Sequence, residues 1–400
     1  MAELKRAIGV PLLLFFGLGN ILGAGIYVLI GKVAGAAGLY TPLAFLVASI
    51  VAGFSAFTYS ELSARYPLSA GEAIYIQQGF GLVALSRAAG LLIALAGMVS
   101  AATIARGFYG YFDLFFHLPE TLVVVGVILA LGLLVTWGIS ESVGMAALFT
   151  LIEIGGLLLI VWVGMDALGD LPARFDQLPG FDSSVTIGIL LGAFLAFFAF
   201  IGFEDMVNVA EEVIDPKRSL PIAILAALVI ATLMYALVSL VATLALDQAV
   251  LAASDAPLAD VLVAMSDFDA RLIGVISLFA IVNGALIQMI MASRIFYGMA
   301  NRGWLWQPLA RINARTRTPV NATLLVIAIV VTLALWIPLE TLARLTSFLV
   351  LCVFTLVNAA LVVIKWRESA APGVFSVPLA VPVLGMLTSA GLILYQLIYG

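Results

Sequence analysis

Apolar residues run along this chain in long, unbroken blocks separated by short polar stretches. The blocks lack the period-two alternation of barrel strands, so they read as helices. A membrane-spanning helix needs about 20 mainly apolar residues, and the pattern predicts eleven of them. They fall at about 8–33, 41–65, 80–109, 121–139, 142–166, 186–210, 220–246, 271–299, 319–337, 341–365 and 379–399. The first block, from about Ala7 to Val33, is too long for a signal-peptide core and has no evident cleavage site.

Composition strengthens this picture. Of 400 residues, 64% are hydrophobic and 10% charged, against roughly 25% charged in an average soluble domain; mean hydropathy is +1.20. A soluble globule cannot hide that much apolar surface, and disordered chains are poor in apolar residues. A net charge of −5 without a basic patch excludes a nucleic-acid partner. The single Cys352 and the single His117 make neither a disulfide framework nor a metal-ligand cluster. No metal and no cofactor are expected. The expectation is an all-α integral membrane protein in contact with lipid, one transmembrane domain over residues 1–400.

Lys and Arg set the expected orientation. One side of the eleven-helix plan collects Lys5, Arg6, Arg65, Arg87, Lys217, Arg218, Arg294, Arg302, Arg311, Arg315, Arg317, Lys365 and Arg367. The other keeps Lys32, Arg106, Arg174, Arg271 and Arg344, and holds the acid-rich connections Asp166–Asp182 and Asp247–Asp269. This places the N-terminus in the cytoplasm of a multi-pass cell-membrane protein. On that side, Glu61–Gly81 and Asn301–Thr318 look like structured connections, the second with Trp304 and Trp306 at headgroup level.

Chemistry concentrates in three spans. Span 1 carries Gly17, Gly19, Gly23 and Gly25 within GLGNILGAG, and each glycine weakens a helix interior by roughly 0.8–1 kcal/mol relative to alanine. Either the helix unwinds there beside a cavity, or Gly19 and Gly23 serve close helix packing. Span 6 places Glu204 and Asp205 just after Gly202 in an apolar run. A carboxylate near the bilayer centre costs about 2.5–3.5 kcal/mol on insertion scales, so such residues face a cavity or a partner. Interrupted helices at matching positions of two halves point to a midplane substrate site. In span 5, Ala146, Thr150, Glu153 and Leu157 share a face, and Gly155–Gly156 is expected to admit a close neighbour. Glu153 has no basic partner in the run, which makes it a candidate for proton coupling.

The stretches GLGNILGAGIYVLIG, ELSARYPLSAGEAIYI, FFAFIGFEDMVNVAEEVIDPKRSLP and SRIFYGMANRG resemble the amino acid–polyamine–organocation superfamily. They are most similar to its cationic-amino-acid-transporter-like and bacterial permease branches. The resemblance implies a ten-helix core of two inverted five-helix repeats, about 8–166 and 186–365, with an additional helix at about 379–399. It implies that an amino acid carboxylate meets backbone N–H groups around Leu22, Gly23, Ala24 and Gly25, with Ile21 lining the pocket. The α-ammonium would meet carbonyls of Phe198, Ala199 and Ile201, and Phe200 and Phe203 would form an aromatic gate. Some proton-coupled relatives carry a lysine in span 5, where this chain has Glu153. A carboxyl could bind a sodium ion, carry a proton or donate a hydrogen bond.

The expected activity is secondary active transport of an amino acid by alternating access, with a proton as coupling ion. An uncoupled or obligate-exchange amino acid or polyamine antiporter is the alternative, and a channel or membrane enzyme a more remote one. No HExxH sequence or nucleophile elbow occurs. A glycine-lined pocket suits a neutral amino acid, whereas Glu204 and Asp205 would favour a cationic one if they face it.

Overall fold

The computed structural model describes residue 6 and residues 8–68, 71–137, 143–170, 180, 182–314, 316 and 318–400. Span 1 is two helices, α1 (Val10–Leu22) and α2 (Ala24–Ala37). There follow α3 (Thr41–Arg65), a short helix α4 (Gly71–Phe80), α5 (Val83–Asp113), α6 (Glu120–Trp137) and α7 (Val143–Val163). Span 6 consists of α8 (Ser183–Ala196) and two 3-10 stretches, Phe197–Phe200 and Glu204–Glu212. The remainder is α9 (Pro216–Ala245), short α10 (Gln248–Ala253) and α11 (Pro257–Met265), α12 (Ala270–Asn301), α13 (Val320–Trp336), α14 (Leu339–Arg367) and α15 (Ala380–Tyr399).

All eleven expected segments fall on these helices. Seven helical stretches among the described residues are long and apolar enough to cross a membrane, the first of which, Val10–Arg65, contains two consecutive segments. Three shorter apolar helices supply the others. Lys5, Arg174, Arg315 and Arg317, used for orientation, lie outside the described residues.

Burial is sorted as a bilayer demands. Residues 21–31 of the first span are all buried, because α1 packs on α7 and α9 while α2 packs on α8 and α10. The outer helices α6, α7, α13 and α15 instead expose Leu133, Leu151, Leu324 and Leu394. An outward apolar surface of this extent is what lipid solvates and water does not.

Polar contacts lock the bundle at defined depths. Ile8 donates its N–H to the Glu212 carbonyl (3.1 Å) and accepts from Ile214 N–H (2.9 Å), which ties the start of span 1 to the end of span 6. In α14, Asn358 accepts from the Thr58 hydroxyl (2.6 Å) and donates to Ser55 Oγ (2.9 Å), both on α3. Gly385 of α15 lies directly against Asn358, where a Cβ would collide. At the N-terminal end of the bundle, buried Glu61 of α3 binds Arg65 Nη2 (2.6 Å) and Lys365 Nζ (2.8 Å) and accepts from Val377 N–H (2.7 Å). At the opposite end, Asp182, Asp247 and Asp269 cap α8, α10 and α12, each accepting a backbone N–H at 2.8 Å.

Candidate functional site

The glycine run of span 1 divides its labour. The helix breaks at Gly23 (φ −54°, ψ −129°), so α2 begins afresh at Ala24 inside the protein. The first N–H groups of a helix have no intrahelical partner, and those of α2 start at Ala24 and Gly25. The other glycines serve packing: Gly17 lies against Met206, Gly19 against Thr150, and a Cβ on Gly25 would stand 2.5 Å from Ala199 Cα. Unwinding and close packing are thus both present, at different positions.

Span 6 is interrupted opposite this break. α8 ends at Ala196, Phe197–Phe200 tightens into 3-10 geometry, and Ile201 is extended (φ −67°, ψ 135°). Gly202 has φ 131°, a backbone conformation that a side chain would strain. A Cβ there would also sit 2.8 Å from the Asn20 carbonyl carbon, so the two interruptions touch. The Tyr235 hydroxyl of α9 lies between them, in hydrogen-bonding contact with the Ile21 carbonyl and 2.8 Å from the Ala199 carbonyl. Phe200 meets the Tyr235 ring edge-on at 5.0 Å.

Phe198 O accepts from Ile201 N–H at 3.3 Å, and Ala199 O faces Tyr235. Each carbonyl retains a second lone pair. Phe203 is fully buried and packs edge-on against Tyr59 (5.7 Å) and with tilted rings against Phe354 (5.3 Å).

Glu153 is buried on α7. Its Oε1 accepts from Asn283 Nδ2 of α12 at 3.2 Å, and its Oε2 has no partner among the described residues. Its backbone carbonyl accepts from the Tyr27 hydroxyl (2.8 Å), and Tyr27 O in turn accepts from Tyr111 (2.7 Å). Gly156 admits the expected close neighbour, packing on Ile276 and Tyr27. Gly155 does not: its Cβ position faces open space, because consecutive helical residues point about 100° apart.

Glu204 and Asp205 face inward. Glu204 Oε2 accepts from Gly202 N–H at 2.8 Å, folding back onto the interruption of span 6, and Asp205 Oδ2 accepts from Gln288 Nε2 at 3.4 Å. Both line a narrow cavity beside Ile201, together with Tyr59 of α3 and Glu72 of α4. Burial pushes the Glu72 carboxyl up to about 8.

The amino acid permease family model matches residues 8–399. The chain belongs to this family. It is 27% identical to the branched-chain amino acid permease BcaP of Bacillus subtilis, over 96% of this chain and 85% of that protein. It is 32% identical to the vacuolar cationic amino acid transporter 2 of Arabidopsis thaliana, over 91% of this chain and 60% of that protein. A methylthioribose transporter of Bacillus subtilis is 27% identical, over 98% and 88% respectively. The chain thus spans three-fifths of the plant protein's length and more of the bacterial ones.

In this family member, the structure gathers the expected span 1 and span 6 residues at one buried joint, with Glu153 beside it: its partner Asn283 and its helix neighbour Thr150 both lie against Gly19 of span 1. Sequence reading missed Tyr235, Asn283 and Glu72. Asn283 is a polar residue within an apolar run, the same kind of signal as a buried charge but a fainter one. His117 is exposed and pairs with Asp113 at 3.3 Å. Trp306 is exposed, whereas Trp304 lies under the guanidinium groups of Arg87 (4.8 Å) and Arg302 (5.5 Å).

Proposed function

We propose that this family member is a secondary carrier that takes an amino acid across a cell membrane by alternating access, with its N-terminus in the cytoplasm. One observation carries the reading: spans 1 and 6 are both interrupted, buried, and joined face to face through Tyr235. Backbone freed from a helix is tolerated at membrane depth only where protein or a cavity satisfies it. The starting N–H groups of α2 carry partial positive charge and suit the substrate carboxylate. The carbonyls of Phe198, Ala199 and Ile201 suit its ammonium. Ile21, Leu22, Phe200 and Phe203 complete the walls.

The two halves, about 8–166 and 186–365, act as inverted repeats, and spans 1, 2, 6 and 7 rock against spans 3, 4, 8 and 9. No covalent step is needed, because ligands that bind the two states with different affinity drive the cycle. Glu153 carries the coupling proton: one oxygen is held by Asn283, and the other is free to take a hydrogen.

The test is uptake into proteoliposomes with and without an imposed pH gradient, for the wild type and Glu153→Gln. The expected outcome is gradient-driven accumulation by the wild type and equilibration only by the variant. Equal accumulation by both removes Glu153 from coupling. Counterflow by both without any accumulation replaces the coupled carrier with an exchanger.

A further inference from the structure

The joint of spans 1 and 6 leaves a second cavity unused, at the end of the bundle opposite the N-terminus. Its walls come from α2, α5, α6, the connection between α10 and α11, and the start of α14. It encloses about 150 Å³, and a water needs about 10–15 Å³ of such space. There is room for a small polar solute. Glu120 and Asp255 are exposed at its rim, so it opens to the surface.

Two cations, Lys32 and Arg106, and two anions, Glu120 and Asp255, line the cavity, and they are only half paired. Arg106 Nη2 binds Glu120 Oε1 at 2.7 Å, and its Nη1 donates to the Ala334 carbonyl at 2.8 Å. The buried Arg106 Nε has no partner among the described residues. Lys32 Nζ donates to the Ala252 carbonyl at 2.7 Å, which leaves two of an ammonium's three donors unused. The Asp255 carboxylate lies near the Tyr109 phenol, whose own hydrogen bond goes to Asp113. It makes no hydrogen bond or ion pair among the described residues. A cation and an anion in one cavity that do not reach each other are complementary to a solute carrying both charges.

The position of the cavity connects it to the joint. Val28 of α2 and Gly107 of α5 both line it and touch each other, so closely that a Cβ on Gly107 would collide with the Val28 side chain. Val28 lies four residues, about 6 Å, along α2 from Ala24, where the free N–H groups of that helix begin. The cavity therefore stands one turn beyond the joint, with the α2–α5 contact between them. In the rocking motion proposed above, α2 belongs to one set of spans and α5 to the other, so their separation joins the two spaces.

We propose that this cavity is an outer docking site for the zwitterionic head of an amino acid, its carboxylate on Lys32 and the Arg106 Nε–H and its ammonium on Asp255. The site rests on the carrier reading above and adds to it a station outside the joint. Hydrogen bonds between ionised groups are the strong ones, and a zwitterion supplies both kinds without changing the balance of two positive and two negative side chains. The joint reads the same head with main-chain N–H and carbonyl groups, so the docking site can hand its solute on as the α2–α5 contact parts. Because the docking site holds only the head, discrimination between side chains stays with the joint.

The experiment places a reporter on the cavity wall, Leu339→Cys in a full-length Cys352→Ser chain, and follows its reaction with a membrane-impermeant maleimide applied outside intact cells. Glycine and L-leucine are each expected to slow labelling at least threefold, whereas acetate and methylamine, which carry one head charge apiece, should not. Lys32→Gln and Asp255→Asn should each abolish the protection, and Tyr235→Phe, at the joint, should keep it. Labelling that neither amino acid slows, protection undiminished in both charge variants, or protection lost in Tyr235→Phe overturns the docking site while leaving the carrier standing. A cysteine that never reacts from outside overturns it as well. Equal protection by acetate or by methylamine overturns the zwitterion in favour of a single ion. Protection without uptake of any amino acid into proteoliposomes keeps the site and overturns the carrier. If Lys32→Gln does not fold, Asp255→Asn, at the exposed rim, decides alone: lost protection supports the site and retained protection overturns it.

Discussion

Two buried glutamates, Glu61 and Glu72, lie eleven positions apart in sequence, and their surroundings are built in opposite ways. Glu61 is saturated. Its Oε1 takes two donors from Arg65 (2.9 and 2.6 Å) and one from Ser376 (3.2 Å), and its Oε2 takes Val377 N–H and the Lys365 ammonium. Glu72 meets no cation among the described residues, and its neighbours are Glu204, Asp205 and the Tyr59 phenol, which hydrogen-bonds it. A carboxylate whose lone pairs are all matched within the fold holds that fold together. One whose surroundings lack positive charge cannot do so by ion pairing.

The largest effect therefore belongs to Glu61. Glu61→Gln leaves Arg65 and Lys365 beside a neutral amide in a site where Glu61 itself is fully buried, and breaking a buried pair from one side costs about 3–5 kcal/mol. Thermal or denaturant unfolding in detergent should show that loss, whereas Glu72→Gln, which removes no ion pair, should cost less. Equal losses would erase the contrast between the two glutamates.

Glu204 is intermediate, with one oxygen engaged by Gly202 N–H and a place in the cavity wall. Glu204→Ala should destabilise by about 1–3 kcal/mol, because a buried N–H loses its acceptor. Glu204→Gln keeps an acceptor and should recover most of that loss, yet it removes the carboxyl as the alanine variant does. Stability and selectivity measured on both variants separate the Gly202 hydrogen bond from the charge; parallel changes in the two quantities would merge them.

This gradation was only partly legible in the sequence. Span positions were readable because burial in lipid requires long apolar runs, and 41–65 coincides with α3. The interruptions were readable because glycine and acid residues inside such runs are local signals. Partners were not. Glu61 meets Val377 316 residues away, Tyr235 meets Ile21 214 residues away, and Asn283 meets Glu153 across 130. Helical period fixes which residues share a face of one helix, as for Thr150 and Glu153, but not which neighbouring helix that face meets. Glu72 was hidden for a different reason: α4 is too short and mixed to carry a periodic signal, so its stretch read only as a structured connection.

The smallest effect tests whether saturation also matters for uncharged groups at depth. Asn358 joins α14 to α3 through Thr58 and Ser55 and also donates to its own helix at Phe354 O (2.8 Å). Interhelical side-chain hydrogen bonds in membranes average about 0.6 kcal/mol and reach about 1.7, because the separated helices find other partners. Thr58→Val removes one such bond and leaves the Asn358 amide its two other contacts, so unfolding should shift by roughly 0.6 kcal/mol. Asn358 is also the residue on which Gly385 of α15 rests, so Asn358→Leu should cost more than Thr58→Val, by crowding that contact as well as breaking bonds. If Thr58→Val instead costs as much as Glu61→Gln, neutral contacts hold this end of the bundle as firmly as the ion cluster, and the special standing of Glu61 is lost.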